Sequence, residues 1–249
     1  MKMKTTDKRI ALITGATRGL GLEAARRLAA ADHLVVVTAR DGAAAKALAT
    51  DLQRAGHASL GLALDVNDGV SLSEVARVLE AELGRIDVLV NNAGIFLDGN
   101  WGGNTAATIS YEALRNTFET NFFAQVRLTQ ALLPLLKRGR DPHIVNVSSI
   151  MGSLTLHANP DSGLRYVKPF AYDASKTALN AFTVHLAEAL AGDGIRVNSA
   201  HPGWVRTQLG TAAAQLSVEE GVRTIVDLAL SRDKAMTGKF IHNGAELPW

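Results

Sequence analysis

Ile10-Ala11-Leu12-Ile13-Thr14-Gly15-Ala16-Thr17-Arg18-Gly19-Leu20-Gly21 is the stretch on which the reading of the fold turns. Four consecutive apolar residues without polar alternation suit a strand buried on both faces, as in a parallel sheet covered by helices on each side. The glycines that follow let the chain turn tightly, approach a pyrophosphate closely and pack a helix against the strand; a Cβ would obstruct each of these. The helix beginning there offers unpaired N–H groups and positive partial charge to phosphate. The spacing is GxxxGxG, with Thr17, Arg18 and Leu20 between the glycines, and a dinucleotide is the expected ligand.

The same alternation continues to the end of the chain. Leu34–Val37, Ser59–Leu64, Ile86–Val90, Ile144–Val147, Ile195–Ser199 and Lys239–His242 read as further strands. Helical patterns cover Leu20–Ala30, an Ala-rich segment ending near Gly56, Leu72–Leu83 with Gly84 as its stop, Tyr111–Lys137, Phe170–Leu190 and Val218–Ser231. Pro134 is expected to end or kink the long helix. This pattern predicts an α/β fold, a doubly wound parallel sheet (Rossmann fold) of about seven strands with helices on both faces. With no linker or repeat, residues 1–249 are expected to form a single domain, with 1–8 as a solvated, flexible tail.

Composition narrows the function. Of 249 residues, 26 are basic and 24 acidic, leaving +2 without long runs, which argues against a nucleic-acid partner. No apolar run approaches the ~20 residues of a membrane span, so no membrane partner is expected. The absence of cysteine excludes disulfides and thiol nucleophiles and points to the reducing cytoplasm. Seven histidines are scattered without HExxH or paired spacing, and no metal site is predicted.

Two further features carry chemistry. In Tyr172-Asp173-Ala174-Ser175-Lys176, positions i and i+4 share one helix face. A phenol normally titrates near pH ~10, and an adjacent ammonium is expected to lower that value, giving an acid–base group usable near neutrality. After the second strand, Val37-Thr38-Ala39-Arg40 puts Ala39 where an NAD site usually carries an acid. Arg40, with Arg18 in the glycine turn, suits a 2′-phosphate, so NADP(H) is the expected cofactor. Asp41 is placed to pair with Arg40.

These motifs join Asp65-Val66, Asn91-Asn92-Ala93-Gly94, Asn121, Ser148-Ser149 and Pro202-Gly203-Trp204-Val205-Arg206-Thr207 in a fixed order, and in this the chain resembles the short-chain dehydrogenase/reductase family, its carbonyl reductases in particular. The resemblance implies an NADPH-dependent oxidoreductase that reduces a ketone or aldehyde to an alcohol, reversibly, with small-molecule carbonyls or alcohols as its partners. Asn121, Ser149, Tyr172 and Lys176 would be catalytic: Tyr172 the acid/base, Ser149 the holder of the carbonyl oxygen, Asn121 positioning a water in a relay through Lys176. Gly15, Thr17, Arg18, Gly19, Leu20, Gly21 and Arg40 would hold the phosphates. Asp65 and Val66 would meet the adenine. Asn92, Ala93 and Gly94 would lie beside the cofactor, while Asn91 stabilises the sheet. Lys176 would also bond the nicotinamide ribose, and Pro202, Gly203, Val205 and Thr207 would frame the amide.

One departure stands out. Ser149 precedes Tyr172 by 23 residues, more than is usual in the family, whose common spacing would reach Asn159. Asn159 follows neither a strand nor a serine pair, so Ser149 is preferred, and residues 154–169 read as an inserted loop over the active-site mouth. Strand alternation points Ser148 the other way. Phe96, Trp101, Met151, His157, Trp204 and Leu209 follow strand carboxyl ends and are candidates for the substrate pocket. The short, Ala-rich segment Thr211–Ala214 suggests an open site for a compact, apolar carbonyl. The alternative is a non-catalytic NADP(H)-binding redox sensor, whose expected mark, a broken Ser–Tyr–Lys set, is not found. The resemblance implies a dimer or tetramer through the two long helices, whereas the insertion argues for a monomer.

Overall fold

All strands but the last are the apolar runs themselves. The strands are β1 (Ile10–Ile13), β2 (Leu34–Ala39), β3 (Ser59–Ala63), β4 (Val88–Asn91), β5 (His143–Val147), β6 (Arg196–Ala200), β7 (Lys239–His242) and β8 (Ala245–Glu246). A computed structural model describes residues 7–99 and 104–249, the Arg165 side chain excepted. Trp101 and the first six residues of the expected tail lie outside the described residues.

The sheet order is 3-2-1-4-5-6-7-8, parallel throughout except for β8, which runs antiparallel to β7. The eighth strand exceeds the expected seven. It is formed by a two-residue turn, Asn243-Gly244, both with positive φ (47° and 80°), the combination that matches the twist of a tight hairpin. Strand order reverses between β1 and β4, the switch point beside which ligands bind in open α/β sheets.

Helices cover both faces. Ala11 and Ile13 pack with α1 (Gly19–Ala30) and α9 (Arg223–Leu230). Ile10 and Leu12 point to the other face, toward α3 (Gly69–Glu82) and α5 (Ala124–Lys137). Each fully buried Leu or Ile contributes roughly 1.5–3 kcal/mol, so this alternation fixes the register of β1. The remaining helices are α2 (Gly42–Arg54), α4 (Tyr111–Phe118), α6 (Leu154–Ala158), α7 (Phe170–Ala189) and α8 (Val218–Gly221). No helix of the described residues is long and apolar enough to cross a membrane.

Three expectations are corrected. Pro134 does not end the long helix; it sits inside α5. Pro134 and Gln130, one turn earlier, are both exposed, so water can satisfy the carbonyl that the proline leaves unpaired. The irregularity falls instead at Glu119–Phe123, a π turn between α4 and α5 with Asn121 at its centre. Finally, residues 154–169 are no bare loop. They contain α6, capped by the Ser153 hydroxyl, and a 3₁₀ turn at Gly163–Tyr166.

Candidate active site

The amino end of α1 is left open. Asp41, Asp68 and Ser110 cap α2, α3 and α4 with their side chains, but among the described residues no side chain caps α1, whose N-cap position is Arg18. Gly15 turns the chain at φ 62°, and a Cβ on Gly21 would collide with the Gly15 carbonyl and stand 2.6 Å from Asn92 Nδ2. The Asn92 amide donates to the carbonyls of Thr14 (2.7 Å) and Gly15 (3.2 Å), while Thr14 Oγ1 accepts from the backbone of Asn92 and Ala93, both at 2.9 Å. Asn92 therefore braces the glycine turn. Thr207 reaches the same turn, its Cγ2 3.4 Å from where a Gly19 Cβ would stand. A glycine cradle at an uncapped helix end fits the pyrophosphate of a dinucleotide.

At the two positions expected to meet the adenine, Asp65 Oδ1 accepts from the Asn67 N–H, and Val66 is buried. Arg18 and Arg40 are exposed, and neither forms an ion pair among the described residues. Asp41 does not neutralise Arg40 as expected; its carboxylate accepts from the N–H groups of Ala43 and Ala44 and caps α2.

The carboxyl ends of β4 and β5 and the start of α7 carry the candidate reactive groups. Asn91 is a sheet residue, donating to Asn146 Oδ1 (2.9 Å) and Thr129 Oγ1 (3.1 Å). The Asn121 amide binds the Ile95 N–H and carbonyl at 2.8 and 2.9 Å and donates to Ser175 Oγ at 3.1 Å. Its side chain is thus committed to joining the chain after β4 to α7. Gly94 lies over this junction, where a Cβ would stand 3.4 Å from Asn121 Oδ1 and 3.8 Å from Lys176 Nζ. Ser148 donates to Asn180 Oδ1 at 2.6 Å, whereas Ser149 shares a hydrogen bond with the Tyr172 hydroxyl. Asn159 holds the Asp161 N–H at the exposed end of α6. The His201 Nδ1 accepts from Ile150 N–H at 3.1 Å, and burial brings its pKa down to about 3, so it holds the turn after Ser149 as a neutral ring.

Lys176 Nζ lies 5.6 Å from the Tyr172 ring centre and donates to the Val147 carbonyl at 2.8 Å. Burial brings its pKa down to about 8. Tyr172 moves the other way from the expectation. Burial raises its pKa, the Asp173 charge adds to this, and the Ser149 hydrogen bond opposes it. Desolvation outweighs the Ser149 hydrogen bond, and the phenol stays protonated.

The insertion grips α7. Lys168 Nζ donates to His157 Nδ1 (2.8 Å) and to the His157 carbonyl (3.0 Å), leaving Nε2–H to face the Met151 carbonyl at 2.9 Å and Asp173 Oδ2 at 3.2 Å. Burial first and Lys168 after it depress the His157 pKa, and Asp173 is pushed up to about 8 by burial and Asp98, so the contact joins two neutral groups. With both ring nitrogens engaged, His157 is a strut and not a free pocket wall. The Trp204 indole donates to the Gly210 carbonyl at 2.7 Å and folds onto its own loop, with Leu209 half-buried beside it. Phe96 stands 5.5 Å from the Tyr172 ring, and Met151 lies buried after Ser149. Pro202, Gly203 and Val205 follow β6 opposite these groups, with Gly203 at φ 84°. Asp98, absent from the sequence reading, donates nothing but accepts from the N–H groups of Ala171 and Tyr172.

A model of the short chain dehydrogenase family matches residues 9–217, and the chain belongs to that family. It is 28% identical to a (+)-neomenthol dehydrogenase of Capsicum annuum, over 97% of this chain and 98% of the relative. It is 33% identical to the 3-oxoacyl-[acyl-carrier-protein] reductase of Escherichia coli, over 83% and 77%. Among solved structures, an NADPH-bound carbonyl reductase from chicken fatty liver superimposes with a TM-score of 0.83 at 27% identity, covering 98% of this chain and all of that one. The protein is accordingly an oxidoreductase of the family, and a nicotinamide cofactor suits its site.

Proposed function

We propose that the protein is an NADPH-dependent reductase of ketones or aldehydes, residues 1–249 acting as one catalytic domain. The observation that carries this reading is the convergence of Ser149, Tyr172 and Lys176 at the carboxyl ends of the strands, beside the open end of α1. The nicotinamide, when bound, supplies the hydride. Ser149 holds the carbonyl oxygen, and Tyr172 gives it a proton as the carbon is reduced. The raised pKa keeps Tyr172 a neutral phenol, the form from which reduction starts. Lys176, still mostly protonated below its pKa of about 8, provides positive charge beneath the reacting groups.

The preference for NADPH rests on Arg18 and Arg40, two guanidiniums without carboxylate partners near the end of β2. The chicken carbonyl reductase, similar over nearly the whole chain, carries NADPH. Phe96, Met151 and Leu209 favour a compact apolar substrate. The test is oxidation of NADPH with a panel of aldehydes and ketones, comparing wild type with Tyr172→Phe. The variant is expected to bind NADPH as wild type does and to lose about 10³-fold in kcat, a typical contribution of a positioned acid. Equal turnover by both proteins would refute the assignment of Tyr172.

A further inference from the structure

The helix that carries Tyr172 and Lys176 cannot cap itself. Its N-cap position is Pro169, which has no side-chain acceptor, so the N–H groups of the first turn need partners from elsewhere. They find them 73 and 74 residues upstream. Asp98 Oδ1 accepts from Ala171 N–H at 2.8 Å and Oδ2 from Tyr172 N–H at 3.0 Å. Asp98 is fully buried, a placement that a carboxylate tolerates only when its oxygens are hydrogen-bonded. It also stands at the positive end of the α7 dipole.

We propose that Asp98 is a positioning residue for the reaction, capping α7 from outside the helix and so fixing Tyr172 against Ser149 and the substrate. The proposal rests on the reductase reading above. Three observations support it. One of the two captured N–H groups belongs to Tyr172 itself, so the main chain is held at the residue whose hydroxyl must reach Ser149. Phe96, two residues before Asp98, packs its ring 5.5 Å from that of Tyr172, so the same short segment places a pocket wall and the proton donor together. Asp98 is itself tied back by Asn104, whose Nδ2 donates to its carbonyl at 2.7 Å. The nucleotide cradle, by contrast, is braced by Thr14 and Asn92 and does not depend on this contact. Loss of Asp98 therefore acts on turnover and spares cofactor binding.

The experiment compares wild type, Asp98→Ala and Asp98→Asn for kcat, KM, NADPH affinity and the ¹⁹F NMR spectrum of protein labelled with 3-fluorotyrosine. There are three tyrosines, and Tyr172→Phe assigns the resonance of interest. Asp98→Ala is expected to lower kcat on the order of 10- to 100-fold, as a displacement of a reacting group does, with NADPH affinity changed by less than about twofold. Its Tyr172 resonance should shift while those of exposed Tyr111 and Tyr166 stay. Asp98→Asn should recover part of the rate, because its amide oxygen can still accept one N–H. Wild-type kcat and an unmoved Tyr172 resonance in Asp98→Ala, even with a lowered Tm, would overturn the proposal, as would a parallel loss of NADPH binding. Should Asp98→Ala not fold, the same criteria applied to Asp98→Asn decide. If wild type reduces no carbonyl, the reductase reading fails, and the ¹⁹F comparison still reports whether Asp98 positions Tyr172.

Discussion

The amino ends of α1 and α7 both lie against the segment that follows β4 and are finished in opposite ways. The end of α1 is bare: no side chain among the described residues caps it, and Gly15, Gly19 and Gly21 keep Cβ atoms out of the space. The end of α7 is sealed by a buried carboxylate brought from the loop after β4. A helix amino terminus attracts an anion in either case. On the proposed reading, the protein leaves the N–H groups free where the anion is a ligand and supplies the anion itself where a reactive side chain must stand still.

The most damaging way to break this contrast is to close α1. Gly21→Ala places a methyl against the Gly15 carbonyl and the Asn92 amide, the first of which is main chain with no freedom to retreat. NADPH affinity is expected to fall by more than about 100-fold and turnover with it, since the turn must open for the helix to repack. Calorimetric binding would check this, and NADPH affinity at the wild-type level would show that the cradle is not built as described.

A smaller effect separates the phosphates of the cradle from the one outside it. Arg18→Ala combined with Arg40→Ala leaves the glycine turn intact and removes two exposed cations, so NADPH should weaken roughly 10- to 100-fold while NADH changes little. Equal losses for both nucleotides would refute the 2′-phosphate assignment.

The two helix ends were not equally legible. The α1 end is written locally, in glycines that follow an apolar run, and β1 to β7 are likewise apolar runs that became strands. The α7 end is not, because its cap lies 73 residues away and local capping signals such as Ser or Asp before a helix point only to neighbours. The π turn at Asn121 escaped for the same reason: it accompanies long-range bonds to Ile95 and Ser175, and Pro134, the obvious local breaker, sits harmlessly on an exposed face. Spacing placed Tyr172 and Lys176 together but not the depth at which they lie, and depth reverses the direction of the Tyr172 shift. The β8 hairpin was within reach through Asn243-Gly244, a turn signal next to too short a strand.

The finest test concerns how much negative charge the α7 end accepts. Asp173 sits in the first turn beside Asp98, buried, its Oδ1 without a partner, and its pKa is pushed up to about 8 by burial and by the Asp98 charge, with Lys168 opposing. In the unfolded chain the same group titrates near ~3.9. Between these values the native state keeps a proton that the unfolded state has released, so stability falls as pH rises, and the contribution is gone once pH passes the native value. Asp173→Asn removes this proton from both states while keeping a group that His157 can contact. The Tm of the variant minus that of wild type should therefore grow from pH ~5 to pH ~8 and then level off, by at least about 1 kcal/mol, or roughly 2–4 °C for a chain of this size. Thermal melts across the window decide the matter: a difference independent of pH would mean that Asp173 is ionised in the native protein, and that the end of α7 carries two charges where the structure provides hydrogen bonds for one.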